Sequence, residues 1–170
     1  MAESIGDRVY NVLFLCTGNS ARSTSAESVL RKLGAPRFNA YSAGSHPKGD
    51  VHPLALELLG NSSLPVDGLR SKPWDEFATP DAPAMDFVFT VCDSAAGESC
   101  PVWPGHPVTA HWSVPDPAAA VGDDAQRRKA FANACHLLTT RIRLFTSLPL
   151  ERLDRTAIQH EVEQLGQQRS

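Results

Sequence analysis

Cys16 and Arg22 stand six positions apart in the stretch FLCTGNSARS, which follows an apolar run. A loop between a buried strand and a helix start points several backbone N–H groups and the positive end of the helix dipole into one small volume. Arg22 can close such a cup with a planar contact to two oxygens of a tetrahedral anion. The same groups should lower the pKa of the Cys16 thiol, which predicts a nucleophile at the base of an oxyanion site.

The residues between this cysteine and arginine suit a tightly curled loop. Gly18 and Asn19 are the residue types most tolerant of positive φ, and the hydroxyl of Ser20 or Ser23 could donate a hydrogen bond to the thiolate. A lone buried cysteine before a loop is the plainer alternative, but here the spacing, the loop composition and the strand-to-helix context coincide. The predicted oxyanion-binding residues are Thr17, Gly18, Asn19, Ser20, Ala21, Arg22 and Ser23.

Two further cysteines bound the segment CDSAAGESC, which runs from Cys92 to Cys100. Seven small or polar residues separate these thiols, and no large apolar side chain anchors the segment in a core. The segment can therefore rearrange at little cost and bring its sulfurs to disulfide distance. Cys135 instead falls on the apolar stripe of a long helix, so we expect it to be a small core residue.

Asp116 is the candidate acid of the chain, because it follows Pro115 and begins the tripeptide DPA. A carboxylate held between prolines lies on a stiff loop near the predicted strand ends. From the residues alone, a turn-forming role is the alternative. The Cys16 loop at the same edge of the sheet favours the catalytic role.

A zinc site is a further alternative, since four possible ligands lie within 20 residues: Cys92, Cys100, His106 and His111. Their spacing is wrong for structural zinc, which takes its ligands in tight cysteine pairs, so this alternative is not favoured. The other histidines, at positions 46, 52, 136 and 160, are scattered and are expected at the surface or at helix ends.

The candidate residues need an architecture that brings them together, and the hydrophobic pattern predicts one. Strands are predicted at 10–15, 38–42, 87–92 and 108–112, and helices at 26–33, 52–59 and 124–146, with a shorter tail helix around Ile158, Val162 and Leu165. Strands that alternate with helices indicate a single-domain three-layer α/β sandwich, in which a mainly parallel four-stranded sheet is flanked by helices. Ligands of such sheets bind at the carboxyl ends of the strands, where Cys16, Cys92 and Asp116 are expected.

The length of 170 residues predicts one domain with a substantial core. We expect a flexible N-terminus at 1–8, a catalytic domain at 9–148 and a C-terminal extension at 149–170. Sixteen basic and 19 acidic side chains give a net charge of −3, which indicates neither a nucleic-acid nor a membrane partner. The chain shows no signal-peptide pattern and no apolar run of about 18 residues, so a cytoplasmic location with reduced thiols is expected.

The loop CTGNSARS resembles the Cys-x5-Arg-Ser active-site loop of the low-molecular-weight protein tyrosine phosphatase superfamily, and the similarity extends from Tyr10 to the long helix near Phe145. This resemblance implies the superfamily's α/β fold and a general-acid role for Asp116. Two enzyme groups share the scaffold, phosphotyrosine phosphatases and phosphatase-like arsenate reductases. The phosphatases typically carry an aromatic residue directly after the Asp-Pro pair, where this chain has Ala118.

The segments CDSAAGESC, CPVWPGHP and HWSVPDPA resemble thioredoxin-coupled arsenate reductases. That resemblance implies a relay in which Cys16 attacks arsenate, Cys92 forms a disulfide with Cys16, and Cys100 then converts it to a Cys92–Cys100 disulfide. An external thiol reductant, thioredoxin in the resembled group, would close the cycle. The interval between Cys92 and Cys100 is one residue longer than is usual there, so a glutaredoxin or mycothiol system stays open.

Some of the resembled reductases bind a potassium ion beneath the loop, and the matching residues here are Asn19, Glu27, Ser42 and Asp75. No tightly bound cofactor is otherwise expected. The expected partners are an arsenate or phosphate oxyanion and thioredoxin or another thiol-transfer protein. A phosphatase acting through a phosphocysteine and a non-catalytic oxyanion or redox sensor remain as alternative functions.

Overall fold

The computed structural model describes residues 8–92, 103 and 106–167. Its centre is a sheet of four strands: β1 (Tyr10–Cys16), β2 (Phe38–Gly44), β3 (Phe87–Thr90) and β4 (Val108–His111). The strands lie in the order β2-β1-β3-β4, and every neighbouring pair is parallel. The predicted α/β fold with a four-stranded sheet is thus confirmed, and the sheet is wholly parallel.

Among the described residues, four helices accompany the sheet: α1 (Arg22–Gly34), α2 (Pro53–Asn61), α3 (Asp124–Thr146) and α4 (Arg155–Leu165). Helix α3 has the predicted bounds because it begins with a capping box, in which Asp123 and Gln126 exchange side-chain and backbone hydrogen bonds. Shorter 3-10 turns cover Trp74–Phe77, Pro117–Ala119 and Leu150–Arg152.

All four strands end at a different residue than predicted: β1 and β4 differ by one residue, at Cys16 and His111, and β2 and β3 differ by two. Strand β2 extends to Gly44, because it pairs with β1 along its whole length and its last residue lies opposite Cys16. Strand β3 ends at Thr90 instead of Cys92, since its ladder with β1 ends there. Cys92 therefore lies beyond the strand, on the loop side of the sheet edge.

The core lies on both faces of the sheet, and successive side chains of β1 point alternately to one face and the other. Val12 and Phe14 belong to the larger cluster, which includes residues of α1, α3 and α4. Leu13 and Leu15 point to the opposite face, where they pack in a second cluster. Phe77, Met85 and Trp103 pack in this second cluster with Val88 of β3. A strand that is apolar on both sides is typical of a parallel sheet covered on both faces.

The end of the chain packs into the larger cluster. The indole N–H of Trp112 donates to the carbonyl of Val162 at 2.9 Å, and both side chains are fully buried. Trp112 also stacks on Phe89 with a centroid distance of 4.1 Å. The segment 149–170, predicted as an extension, thus contains helix α4 and contributes to the core beside β4. None of the helices within the described ranges is long and apolar enough to cross a membrane.

Candidate active site

The candidate site lies at the carboxyl edge of the sheet, where the strand order changes direction. Strand β1 ends at Cys16 between β2 and β3, and helix α1 begins at Arg22. Cys92 follows β3 and Asp116 follows β4. In open parallel sheets this switch point is where ligands bind, because the loops from the neighbouring strands diverge there and leave a crevice.

The loop from Cys16 to Arg22 is held from behind by the segment that follows β2. Three of its carbonyl groups accept backbone N–H donors from that segment: Thr17 from His46 at 2.9 Å, Gly18 from Lys48 at 3.0 Å, and Ser20 from His52 at 2.8 Å. Across the residues that the structure describes, no side chain caps the first turn of α1. The uncapped helix N-terminus, with its orphan N–H groups, is left to meet an anion.

Asn19 sets the curl of the loop. Its backbone has φ of 47°, in the left-handed region, and its side chain is fully buried. The amide nitrogen donates to Ser23 at 2.8 Å and to Ser42 at 3.1 Å, while the amide oxygen accepts the backbone N–H of Lys72 at 2.8 Å. Gly18 does not have the positive φ predicted for it, so Asn19 alone has the left-handed conformation in this loop.

Gly44, at the end of β2, lets the loop lie directly on the strand. A Cβ at this position would stand 2.5 Å from the carbonyl oxygen of Thr17 and 2.8 Å from that of Cys16. Real Cβ atoms do not approach backbone oxygens so closely, so this position requires glycine.

A pocket of about 260 Å³ opens above the loop. Five predicted oxyanion-binding residues line it, namely Thr17, Gly18, Ser20, Ala21 and Arg22, together with Cys16 and Asp116. Asn19 and Ser23 lie behind the loop and bond to each other. The pocket is smaller than the roughly 300–1,000 Å³ of sites for drug-sized ligands, which suits a small anion.

Two lining residues, His46 and Lys48, were given no functional role by the sequence. They belong to the loop that follows the carboxyl end of β2. Because ligands bind at this edge of a parallel sheet, the position of the loop could have indicated a role for these two residues. Arg22 and Lys48 outnumber the single carboxylate of Asp116 in the lining, so the site is locally positive although the chain carries a net charge of −3. The lining of the pocket, as far as the chain is described, includes no Phe, Tyr or Trp side chain.

Arg22 and Asp116 face each other across the pocket. One guanidinium nitrogen lies 3.7 Å from the Asp116 carboxylate, and the other donates to the carbonyl of Val114 at 3.2 Å. The second carboxylate oxygen of Asp116 accepts the backbone N–H of Ala118 at 3.0 Å. The aspartate side chain is 42 % exposed, so its carboxyl group can exchange protons with water and reach a ligand in the cup.

The structure brings Cys92 to Cys16. The Cys92 sulfur accepts the backbone N–H of Thr17 at 3.2 Å and lies 3.5 Å from the Thr17 hydroxyl. It also makes a hydrogen bond with Cys16, and both residues are buried thiols. This bond is the main cause that raises the pKa of Cys16, and burial raises it further.

The predicted lowering of the Cys16 pKa is therefore wrong for this pair of thiols. Arg22 and the N–H of Gly18 do act in the predicted direction, but the neighbouring thiol and the loss of water outweigh them. The loop amides and Arg22 are close to Cys16 in sequence, whereas the fold places a second, distant sulfur against it.

The other cysteines have different positions. Cys100 lies outside the described residues, so a zinc site that includes this cysteine is not tested. Within 8–92, 103 and 106–167, no three His, Cys, Asp or Glu side chains are grouped so that they could hold a metal. Cys135 is half-buried on α3 against the larger core cluster, and burial raises its pKa, which keeps it protonated.

Three of the four residues predicted for potassium meet behind the loop, and a lysine lies among them. Ser42 donates to Glu27 at 2.6 Å and accepts from Asn19. The Lys72 ammonium stands 3.4 Å from the Ser42 hydroxyl and 3.7 Å from the Glu27 carboxylate. Burial lowers the pKa of Lys72, and the Glu27 charge opposes that shift. Asp75 is exposed on the neighbouring 3-10 turn.

The comparisons with known proteins agree with this geometry. The family described as Low molecular weight phosphotyrosine protein phosphatase matches residues 11–161. An arsenate reductase of Oceanobacillus iheyensis is 32% identical over 134 residues, which are 79% of this chain and 93% of that protein.

Two solved structures are also similar to this chain. One is described as an arsenate reductase in the phosphate binding state, with a TM-score of 0.66 and 26% identity over 82% of this chain and 98% of the other. The second is a thioredoxin-dependent arsenate reductase of Corynebacterium glutamicum, with a TM-score of 0.56 and 27% identity over 81% of this chain and 64% of the other. The match across most of its length places this chain in the low molecular weight phosphotyrosine protein phosphatase family.

Proposed function

We propose that this protein reduces arsenate to arsenite through a thiol relay that begins at Cys16. Its similarity to arsenate reductases supports the reaction class. The observation that carries the proposal is the contact of Cys92 with both Cys16 and Thr17, because a resolving thiol must reach the nucleophile's sulfur. A phosphatase needs no second thiol at that position.

In the first step, arsenate occupies the cup, where the loop N–H groups, the N-terminus of α1 and Arg22 bind its oxygens. The Cys16 sulfur attacks arsenic and one oxygen leaves as water. Asp116, which lines the same pocket, donates the one proton that converts a leaving hydroxyl of arsenate to water, and the proton lost by the Cys16 thiol restores the Asp116 carboxyl group. The product is a covalent bond between the Cys16 sulfur and arsenic(V).

In the second step, the Cys92 sulfur attacks the Cys16 sulfur. The sulfur–arsenic bond breaks and leaves its electron pair on arsenic, which departs as arsenite with the Cys92 proton. Two electrons have passed from two thiols to arsenic, and a Cys16–Cys92 disulfide remains. Cys100 then attacks Cys92, so that Cys16 returns as a thiol and a Cys92–Cys100 disulfide is presented to an external reductant.

Thioredoxin is the reductant that we propose, because the similar protein of Corynebacterium glutamicum is thioredoxin-dependent. A dithiol protein supplies both electrons in one exchange and restores Cys92 and Cys100. A glutaredoxin or mycothiol system would restore the same thiols. The choice among them is tested by supplying each donor in turn.

The test is arsenate-dependent NADPH oxidation with thioredoxin and its reductase. The wild type should turn over steadily, Cys16→Ser should be inactive, and Cys92→Ser should lose arsenate reduction. Cys100→Ser should complete one turnover and stop with Cys16 joined to Cys92, which mass spectrometry of the trapped protein would identify. Cys135→Ser is the matched control and should behave as the wild type. Normal cycling of Cys92→Ser would rule out the relay.

Phosphate-ester hydrolysis is the second candidate function, since the same cup and Asp116 can serve a phosphocysteine intermediate. Ala118, packed with Ala21, Val51 and Phe131, offers no ring for a phosphotyrosine to stack on. We therefore expect weak hydrolysis of a small aryl phosphate, retained in Cys92→Ser and lost in Cys16→Ser. Brisk hydrolysis without arsenate-dependent NADPH use would make the protein a phosphatase. Oxyanion binding without either turnover would favour a sensor.

A further inference from the structure

Lys72 is a buried cation that the proposed reaction does not use. Its side chain is only 6 % exposed and lies beneath the Cys16 loop among Asn19, Glu27 and Ser42. A charge is costly to bury unless other groups satisfy it. The groups that contact the Lys72 ammonium therefore indicate the role of its charge.

Three oxygen atoms lie near the ammonium group. It donates to the carbonyl of Arg70 at 2.9 Å and to the Ser42 hydroxyl at 3.4 Å, and it stands 3.7 Å from the Glu27 carboxylate. An ammonium has three N–H donors, so this set satisfies it. The cluster already contains a monovalent cation, which is part of the polypeptide.

The same surroundings do not fit an added potassium ion. The Glu27 carboxylate also pairs with Arg31 at 2.6 Å, so one negative charge already meets two positive charges. Ser42 donates its proton to Glu27. The Asn19 oxygen must face the backbone N–H of Lys72, which is a donor only, and the amide N–H therefore points to Ser42. A third cation would meet repulsion and would find no free oxygen of Asn19.

Lys72 also holds the loop through its backbone. Its N–H binds the side chain of Asn19 at 2.8 Å, and its carbonyl accepts the N–H of Gly44 at 2.9 Å. Asn19 is the loop residue with a left-handed backbone. Lys72 thus braces Asn19 twice, directly through its N–H and indirectly through the ammonium, Ser42 and the Asn19 amide nitrogen.

We propose that Lys72 is a positioning residue whose ammonium serves as a built-in monovalent cation beneath the oxyanion loop, so that this chain works without potassium. The inference rests on the proposed oxyanion-binding role of the loop and is independent of the arsenate relay. Lys72 does not line the pocket, so it acts on the anion through Asn19 and the loop that Asn19 shapes.

The test compares two neutral substitutions at fixed ionic strength, in buffers that contain either choline chloride or potassium chloride. Lys72→Ala removes the ammonium and leaves space, whereas Lys72→Met removes the charge but keeps the volume filled. The probes are inorganic phosphate binding and hydrolysis of a small aryl phosphate. Lys129→Ala, which removes an exposed lysine of α3, is the matched control.

The wild type and Lys129→Ala should give the same phosphate affinity and kcat/KM in both salts. In choline, Lys72→Ala and Lys72→Met should both lose about ten- to a hundredfold in kcat/KM, the effect of removing charge-assisted hydrogen bonds. Potassium, ammonium or methylammonium should restore Lys72→Ala, and none of them should restore Lys72→Met. A purely structural role for the side chain would give no rescue that depends on the cation.

Three results would overturn the proposal: a potassium requirement in the wild type, unchanged activity of either variant in choline, or a loss in Lys72→Ala that no cation relieves. Thermal unfolding of the wild type supplies a check that needs no variant, because a ligand that binds only the folded state raises its Tm. A Tm raised by potassium over choline would also refute the proposal. Absence of phosphate binding in the wild type would instead refute the oxyanion site itself.

Discussion

At the scale of single residues, the pairing of Cys16 with Cys92 decides the chemistry of the site. A thiol that only met the loop amides and Arg22 would ionise easily, whereas the hydrogen bond with Cys92, together with burial, raises the pKa of Cys16. The contact with Cys92 thus opposes the ionisation of Cys16. The interaction of the two thiols can be tested by kinetics that do not depend on the relay.

Replacing Cys92 with alanine should lower the pKa of Cys16, because it removes the main cause that raises it. The reactive form of Cys16 is the thiolate, so the rising limb of kcat/KM against pH for aryl phosphate hydrolysis should move to lower pH. Thiolate ultraviolet absorbance should show the same shift. Cys135→Ala serves as the control and should leave the limb in place. An unmoved limb in Cys92→Ala would mean that the two thiols do not interact.

Asp116 should act on the leaving group and not on binding. Asp116→Asn keeps the acceptor for the Ala118 N–H but removes the transferable proton. We expect kcat for aryl phosphate hydrolysis to fall by about 10²- to 10⁴-fold, as for the loss of a general acid, with phosphate affinity changed little. Poorer leaving groups should suffer more. An equal loss across leaving groups would contradict the role.

At the scale of elements, the βα unit from Tyr10 to Gly34 could be predicted because its signals are local. An apolar strand, a loop of small residues and an amphipathic helix follow each other in the chain, so their order sets their geometry. The support beneath the loop could not be predicted in this way. It comes from the segment after β2 and from Lys72. Both are distant from the loop in sequence, and neither contains a recognisable sequence motif.

Gly44→Ala tests the contact between β2 and the loop. The added Cβ would collide with the carbonyls of Cys16 and Thr17, so the loop must move. We expect a loss of about 1–3 kcal/mol in the free energy of unfolding, as for overpacking, together with weaker phosphate binding. Denaturant unfolding and phosphate titration measure the two effects. Gly60→Ala, at a position with open space, should show neither effect.

At the scale of the whole molecule, the last helix belongs to the core that holds the site edge in place. Trp112 lies between strand β4 and helix α4, stacked on Phe89 and bonded to Val162. The loop that carries Asp116 begins just after this tryptophan. The stability of the sheet edge and the position of Asp116 therefore depend on α4.

Val162→Ala should lower the free energy of unfolding by about 1–3 kcal/mol, because it opens a cavity in the larger core cluster. Glu161→Ala, exposed on the same helix, should change it by less than about 0.5 kcal/mol. Urea unfolding of the two variants gives the comparison. Equal effects of the two substitutions would show that α4 packs only loosely against the sheet.

The sequence by itself determined the parallel α/β class, the loop from Cys16 to Arg22 and the meeting of Cys92 and Asp116 at one edge, because parallel strands bring their carboxyl ends to one side. Only the tertiary structure decided which groups share a proton and which cation lies beneath the loop. Those outcomes depend on burial and on side-chain contacts between residues distant in sequence, such as Asn19 and Lys72. Local patterns set the backbone of the site, whereas packing sets its electrostatics.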